Sequence, residues 1–206
     1  MAWSLSTSPK DVFIVSNWES DQPHNHDQEK VPSIVTYNSE GKVASWGHSL
    51  ERRQHHISWF KLGLSAEATD LLAKEQPDRY ERLQRLFVKY NKSPLDVAAD
   101  YLRKLWEHAT ENIKQKIDPY LWENVKFKIV LTVPAMWDHR AQELTKKAAE
   151  MAGMLVRKGT TLELIGEPEA AALAVSSKMN SPTPHSILKV GNIEIVILIL
   201  LGLIAY

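Results

Sequence analysis

Two positions that could serve a chemical site, Pro134 and Glu167, each come directly after an apolar run, over residues 127–133 and 162–166. Runs of this kind predict β-strands, and the segments after both are typical of helices. In open α/β sheets, binding sites form outside the carboxyl ends of the strands. We therefore expect Pro134 and Glu167 to lie near each other on the rim of a cleft. Glu167 should be partly exposed, without a fixed cation, and replaceable at little cost in stability.

A purely structural explanation of Glu167 stays open, because the helix macrodipole favours acidic residues at helix N-termini. Pro168 supports a helix that starts here, since its missing N–H costs nothing in the first turn. The histidines do not suggest a metal site, because they lie in polar, loop-like sequence without cysteines or paired carboxylates. These histidines are His24, His26, His48, His55 and His56.

The segment around Pro134 predicts a strand–helix–strand unit. From Lys126 to Val133 polar and apolar residues alternate, and Pro134 ends the strand because it has no N–H to donate. Asp138 is a suitable N-cap for the following helix, and Gly153 stands where that helix needs a left-handed stop. The order strand, helix, strand, helix favours an α/β layer with a right-handed crossover.

The preceding part of the chain predicts a strand, a hairpin and several helices. Residues 12–15 are rich in strand-forming side chains. Residues 33–37 and 42–46 flank the loop Asn-Ser-Glu-Gly, which indicates a β-hairpin. The strongest helix has Ser93 and Pro94 as its cap and first residue. The predicted helices cover residues 70–73, 78–90 and 95–117.

Composition narrows the class of protein. The 206 residues include 44% hydrophobic and 24% charged side chains, which is typical of a folded domain. Lysine plus arginine and aspartate plus glutamate each number 25, so we expect no nucleic-acid partner. The absence of cysteine excludes disulfides and is compatible with the cytoplasmic location that we expect. The N-terminus has neither a basic start nor a long apolar core, so we expect no signal peptide.

Residues 127–175 as a whole resemble the ATPase domain of the heat-shock protein 70 family, within the actin and sugar-kinase superfamily. The segments LTVPAMW and IGEPEAAALAV are similar to family segments that read approximately TVPA(Y/F)F and INEPTAAALAYG. Earlier in the chain, WSLS, EKVPS, WG and WFKL occur in the order found in divergent members of the fungal type. The resemblance covers about residues 2–175.

The resemblance implies an α/β fold with a ribonuclease H-like, actin-like ATPase core. In that arrangement the chain holds part of lobe I with an inserted α+β subdomain. Residues 1–30 and 120–178 would form the core, and residues 31–119 the inserted hairpin and helical subdomain. Residues 179–206 would be a linker and a divergent apolar tail.

The resemblance also implies roles for three residues. Lys61, in WFKL, looks like the lysine that reaches the γ-phosphate and the attacking water. Glu167 looks like the carboxylate that orients metal-bound water, and Pro134 like the proline that switches between nucleotide states. The implied cofactors are ATP or ADP with Mg²⁺, and the implied reaction is in-line attack of water on the γ-phosphate, with Mg²⁺ and K⁺ as charge partners. Gln142 stands where typical members have an arginine that relays the switch. The alternative for Lys61 is a structural one, because a lone lysine is often only a solvated surface residue.

Two glycine-rich phosphate hairpins of the family do not occur in this sequence. The first, of the type DLGTTYS, would precede Trp3, and the second, of the type DLGGGT, would follow Val175. Backbone N–H groups freed by glycine bind the phosphates in such loops. We therefore expect a truncated chaperone ATPase lobe that binds ATP weakly or not at all and is inactive alone.

The alternatives are a non-catalytic protein-interaction module and a peripheral membrane protein associated through its tail. The implied partners are unfolded protein clients or co-chaperones.

The apolar tail over residues 195–206 is shorter than the approximately 20 residues that a membrane-spanning helix needs. Its isoleucines and leucines favour a buried strand or an adhesive extended tail, and a shifted reading frame is a third explanation. Without an assured partner strand, the tail would promote self-association. On that view, its deletion would raise the fraction of monomer.

Overall fold

The computed structural model describes residues 1–20, 28–50, 55–179 and 194–199. Within these ranges the chain forms a mixed α/β structure, as the sequence predicts. The strands are β1 Ala2–Leu5, β2 Ser8–Ile14, β3 Ile34–Tyr37, β4 Val43–Trp46, β5 Ile57–Ser58, β6 Lys126–Val133, β7 Thr161–Gly166 and β8 Glu194–Ile199. The helices are α1 Ala66–Glu75, α2 Pro77–Tyr90, α3 Pro94–Lys114, α4 Pro119–Asn124, α5 His139–Met151 and α6 Glu167–Met179.

The main sheet has five strands in the order β2-β1-β8-β6-β7. Strand β6 runs parallel to both β7 and β8, whereas β1 runs antiparallel to β2 and β8. The carboxyl ends of β6, β7 and β8 therefore point to the same edge of the sheet. This edge is where the sequence predicts a site.

Strand β8 corrects the expectation of a tail without an assured partner. Residues 194–199 form the central strand, paired with β1 on one side and β6 on the other. Ile195, Ile197 and Ile199 are buried, so every second residue of the apolar run faces the core. The buried strand is thus the alternative that the structure shows for this part, and residues 200–206 lie outside the described residues.

The crossover from β6 to β7 forms as its sequence signals predict. The Oδ1 atom of Asp138 accepts a hydrogen bond of 2.8 Å from the backbone N–H of Ala141, which caps α5. Gly153 has φ +81° just after that helix, the left-handed conformation that glycine tolerates best. Small residues on α5, including Ala148 and Ala149, are fully buried. They allow α5 to pack closely between the main sheet and α3.

The helical subdomain, residues 34–114, combines the small sheet β4-β3-β5 with α1, α2 and α3. The hairpin of β3 and β4 forms as predicted. Helix α3 starts at a capping box in which Ser93 and Asp96 satisfy each other's backbone N–H groups. It ends at Lys114, three residues before the predicted end. Within the described ranges, none of the helices combines the length and the apolar character needed to cross a bilayer.

Candidate functional site

Pro134 and Glu167 leave the main sheet at the same edge. The parallel register pairs Val133 with Gly166, which are the last residues of β6 and β7. The next residue of each strand is Pro134 on one side and Glu167 on the other, so the predicted proximity of these two residues is confirmed. Glu167 is also the first residue of α6, and 35% of its side chain is exposed.

Lys61 reaches this edge from the helical subdomain. It lies in a 3₁₀ turn, Phe60–Leu64, and its Nζ atom donates a hydrogen bond of 2.9 Å to Oε1 of Glu167. Only 9% of the Lys61 side chain is exposed, so it is not the solvated surface lysine that a lone lysine usually is. The expectation that Glu167 has no fixed cation is wrong, because Lys61 is that cation. These two residues are 106 positions apart, and no local pattern links them.

Trp137 completes the site, and sequence reasoning did not select it as a functional residue. The Nζ atom of Lys61 lies 5.3 Å from the centroid of the Trp137 ring, within the range of a cation–π contact. Trp137 is buried, and Nε2 of Gln142 donates a hydrogen bond of 3.1 Å to its backbone carbonyl. The signal available in the sequence was its place three residues after Pro134, at the start of the α5 segment. Gln142, which stands where typical family members have an arginine, thus makes a hydrogen bond to the backbone of Trp137.

The environment of Lys61 lowers its pKa below the ordinary value of 10.5. The main cause is burial, which disfavours the charged ammonium. The hydrogen bond and the negative charge of Glu167 act in the opposite direction. Burial and the partner carboxylate thus act in opposite directions on the pKa of Lys61, and burial has the larger effect.

A cleft of about 370 Å³ opens at the same edge. It lies at the lower end of the size range of about 300–1,000 Å³ that is typical of small-molecule sites. Glu167 stands in sequence between two of its lining residues, Gly166 and Pro168, and Glu169 contributes the carboxylate of the lining itself. The lining residues are Val133, Pro134, Ala135, Gln142, Leu164, Ile165, Gly166, Pro168 and Glu169. A larger cleft of about 660 Å³ at the β3–β4 turn contains none of the predicted site residues.

The residues at this edge fit a metal ion only in one way. Within the described part of the chain, no three histidine, aspartate or glutamate side chains are grouped to hold a metal. His48 instead lies 2.8 Å from the backbone oxygen of Lys30, and His24 and His26 lie outside the described residues. Mg²⁺ commonly binds through one or two carboxylates together with substrate phosphates and water. Glu167 is a partly exposed carboxylate at this edge.

Comparison with known proteins identifies the family to which this chain is similar. A family model described as Hsp70 protein matches residues 69–190. The chain is 30% identical over 185 residues to heat shock 70 kDa protein 12B of Homo sapiens. This match covers 84% of this chain and 25% of that protein. It is also 30% identical over 161 residues to a chaperone protein HscA homolog of Laribacter hongkongensis. This match covers 74% of this chain and 24% of that protein. A chaperone protein DnaK of Deinococcus proteolyticus is 30% identical to this chain over 158 residues. This match covers 69% of this chain and 22% of that protein.

The chain thus spans about a quarter of the length of the curated relatives that it matches. The matches to these relatives nevertheless cover more than two thirds of this chain, and the family model includes residues 127–175. The mixed sheet, with its parallel crossover from β6 to β7, is consistent with part of an actin-like ATPase fold. The chain therefore belongs to the heat-shock protein 70 family of nucleotide-binding chaperone ATPases.

Proposed function

We propose that this chain supplies one wall of a Mg²⁺–ATP cleft in a chaperone ATPase, and that by itself it binds the nucleotide weakly. The observation that carries the proposal is the contact of 2.9 Å between Lys61 and Glu167 at the carboxyl edge of β6 and β7. Each of these residues also matches a functional position of the family motifs. By extension, we infer a cytoplasmic chaperone role with unfolded clients or co-chaperones as partners.

Lys61 would act as a positioned positive charge. Its ammonium is fixed by the carboxylate of Glu167 on one side and the ring of Trp137 on another. An ammonium held in a largely buried setting interacts more strongly with a phosphate oxygen than one in bulk water, because the local dielectric is lower. The same burial lowers the pKa of Lys61, so a phosphate that approaches would favour its charged form.

Glu167 would hold water at the mouth of the cleft. Its side chain is one third exposed, which leaves it accessible to solvent while Lys61 restrains its orientation. When bound, Mg²⁺ supplies charge neutralisation for the phosphates and a shell of ordered water. The carboxylate of Glu167 can accept hydrogen bonds from such water and orient it. Pro134, one strand away, lines the cleft and fixes the backbone that leads to Trp137.

The expected weakness follows from what lines the cleft. Gly166 is the one glycine among its lining residues, so a phosphate cradle of several backbone N–H groups is not formed there. Glu167 and Glu169 place two carboxylates at the first turn of α6, where a free anion would otherwise be attracted. An unaccompanied phosphate is therefore repelled, and binding should depend on the divalent cation.

The test is a titration of the whole chain with Mg²⁺–ATP. Isothermal titration should show no saturable binding at low micromolar concentration, which would correspond to about −8 kcal/mol. Two-dimensional NMR of the tryptophan indole N–H groups should instead show a shift of the Trp137 signal, with a Kd of about 1 mM, or about −4 kcal/mol. Leaving out Mg²⁺ should weaken the effect.

Matched variants locate the binding. Lys61→Ala should abolish the shift of the Trp137 signal, whereas Lys128→Ala should leave it unchanged. Lys128 is a suitable control because it forms a pair of the same length, 2.9 Å, with Glu163, and this pair joins β6 to β7 and is more exposed. A low micromolar Kd would contradict the proposed weakness. Shifts that persist in Lys61→Ala would contradict the proposed site.

A further inference from the structure

Another cleft, of about 260 Å³, lies on the helical subdomain, and its lining carries positive charge without a carboxylate. We call it the arginine cleft. Its lining residues are His56, Ser58, Trp59, Arg79, Arg82, Leu83 and Leu86. Because the chain as a whole has a formal net charge of +0, this charge is a local feature and does not reflect a basic protein.

Arg79 is held by an aromatic ring. Its guanidinium carbon lies 4.4 Å from the centroid of the Trp59 ring. A guanidinium that stacks in this way uses its face for the ring and keeps its N–H groups directed along its plane. Planar N–H pairs of this kind match the two oxygens of a carboxylate. Among the residues that the structure describes, neither Arg79 nor Arg82 has a carboxylate at salt-bridge distance, whereas Arg85 on the same helix pairs with Glu81 at 3.6 Å.

The position of Trp59 is itself unusual. Its φ of 63° and ψ of 8° place it in the left-handed region, which a bulky residue rarely adopts. Such a conformation costs about 1–3 kcal/mol and persists only where the surroundings impose it. Here it holds the indole at the cleft and against Arg79. Two buried leucines, Leu83 and Leu86, provide an apolar wall next to the arginines.

We propose that the arginine cleft is a docking site for an acidic segment of a partner protein, which places a carboxylate on Arg79 and Arg82 and an apolar side chain beside Leu83 and Leu86. Its volume is smaller than the 300 Å³ or so at which small-molecule sites usually begin, which favours one or two anchoring side chains over a whole cofactor. Arg79 and Arg82 lie three positions apart on α2 and so share one helix face. A single acidic segment can therefore contact both.

The nearest acidic side chains on α2 do not remove this complementarity. Asp78 precedes Arg79 in the sequence, and Glu81 is engaged with Arg85. Neither belongs to the lining of the cleft. The proposal concerns a surface different from the Lys61–Glu167 edge and does not depend on nucleotide binding.

The test uses a fluorescein-labelled peptide, Leu-Asp-Glu-Leu-Asp-Glu, and its amide counterpart, Leu-Asn-Gln-Leu-Asn-Gln, in fluorescence anisotropy with the whole chain. The acidic peptide should bind at least about tenfold more tightly, a difference of about 1.4 kcal/mol. The double variant Arg79→Gln with Arg82→Gln should weaken its binding about tenfold or more. Arg85→Gln, the control on the same helix, should change it less than about twofold.

Both arginines of the double variant are exposed, so circular dichroism should show an unchanged fold. Arg79→Lys, which keeps the charge but loses the planar donors, should weaken binding at least about threefold. Equal affinity for the two peptides would overturn the proposal. So would an effect of Arg85→Gln as large as that of the double variant, because binding would then report diffuse charge. Displacement of the peptide by a short RNA at lower concentration than by unlabelled peptide would also overturn it.

Discussion

The main sheet and the helical subdomain are assembled from very different parts of the chain. The subdomain uses one continuous stretch, residues 34–114, and two of its contacts, β3 with β4 and α1 with α2, join elements that are adjacent in sequence. The main sheet brings together residues 2–14, 126–166 and 194–199, and its central strand is the last of the strands in the described ranges. Contacts between distant segments require closure of long loops, which slows folding. The comparison shows that the candidate site depends on the less local of the two regions.

Lys61 and Glu167 connect these regions. Lys61 belongs to the subdomain and Glu167 to the edge of the main sheet, and the contact between them is 2.9 Å long. The pair of Lys128 and Glu163 has the same length but joins two neighbouring strands within the main sheet. The exposed fractions are 9% and 35% for Lys61 and Glu167, against 39% and 57% for Lys128 and Glu163. We therefore expect the two pairs to contribute unequally to stability, although their lengths are the same.

The largest effect should come from removal of the central strand. A chain that ends at residue 193 lacks β8, so β1 and β6 lose their shared partner and the buried side chains of Ile195, Ile197 and Ile199. Loss of one such side chain typically costs about 2–5 kcal/mol, and the loss of three is comparable with the whole stability of a typical domain, about 5–15 kcal/mol. Hydrogen exchange should show lost protection in β6, with more protection retained in α3.

A chain that ends at Ile199 is the matched control, since it keeps the whole of β8 and lacks only residues 200–206. It should retain protection in β6. Size-exclusion chromatography of both chains tests the earlier expectation that deletion of the tail raises the monomer fraction. If the chain that ends at residue 193 is folded and more monomeric, the central role of β8 is contradicted.

A smaller effect should distinguish the two lysine–glutamate pairs. Glu167→Gln leaves the buried ammonium of Lys61 without its carboxylate, and we expect a loss of about 2 kcal/mol in the free energy of unfolding. Glu163→Gln should cost about 0.5 kcal/mol or less, because Lys128 stays solvated. Urea denaturation of both variants measures the difference. Equal costs would show that the Lys61–Glu167 pair adds no more than an exposed one, as the sequence led us to expect for Glu167.

The smallest effect should be a dependence of stability on pH. In the folded chain, burial holds the pKa of Lys61 below the ordinary value of 10.5 that it has in the unfolded chain. At a pH between the folded and the unfolded pKa, the unfolded chain therefore binds more protons than the folded chain. Stability should therefore rise with pH in that interval, by less than about 1.4 kcal/mol per pH unit. The measurable quantity is the stability of the original chain minus that of Lys61→Met, by urea denaturation at several pH values.

The subtraction removes groups that titrate in both chains. Burial raises the pKa of Tyr101 to about 12, which by itself reduces stability as the pH rises above 10, the opposite sign. This contribution is common to both chains and cancels. The prediction is contradicted if the stability of the original chain minus that of Lys61→Met falls as the pH rises. The carboxylate of Glu167 would then outweigh burial, and the pKa of Lys61 would be raised.

Local sequence determined much of the secondary structure. The alternation in β6, the caps at Ser93 and Asp138, and the left-handed stop at Gly153 are decided by residues a few positions apart, and each forms as predicted. The shared edge of Pro134 and Glu167 also followed from sequence, because parallel strands with a short crossover place their carboxyl ends together.

The tertiary structure decided what no local pattern encodes. An apolar run such as residues 194–199 is compatible with several partners, and only the packed sheet places it between β1 and β6. The carboxylate of Glu167 has a cation because a turn 106 positions away folds against the same edge, and Trp137 faces that cation for the same reason. The stacking of Arg79 on Trp59 likewise joins a helix to a separate turn. Sequence determined the elements and the edge where a site could form, whereas long-range packing determined which charges meet there.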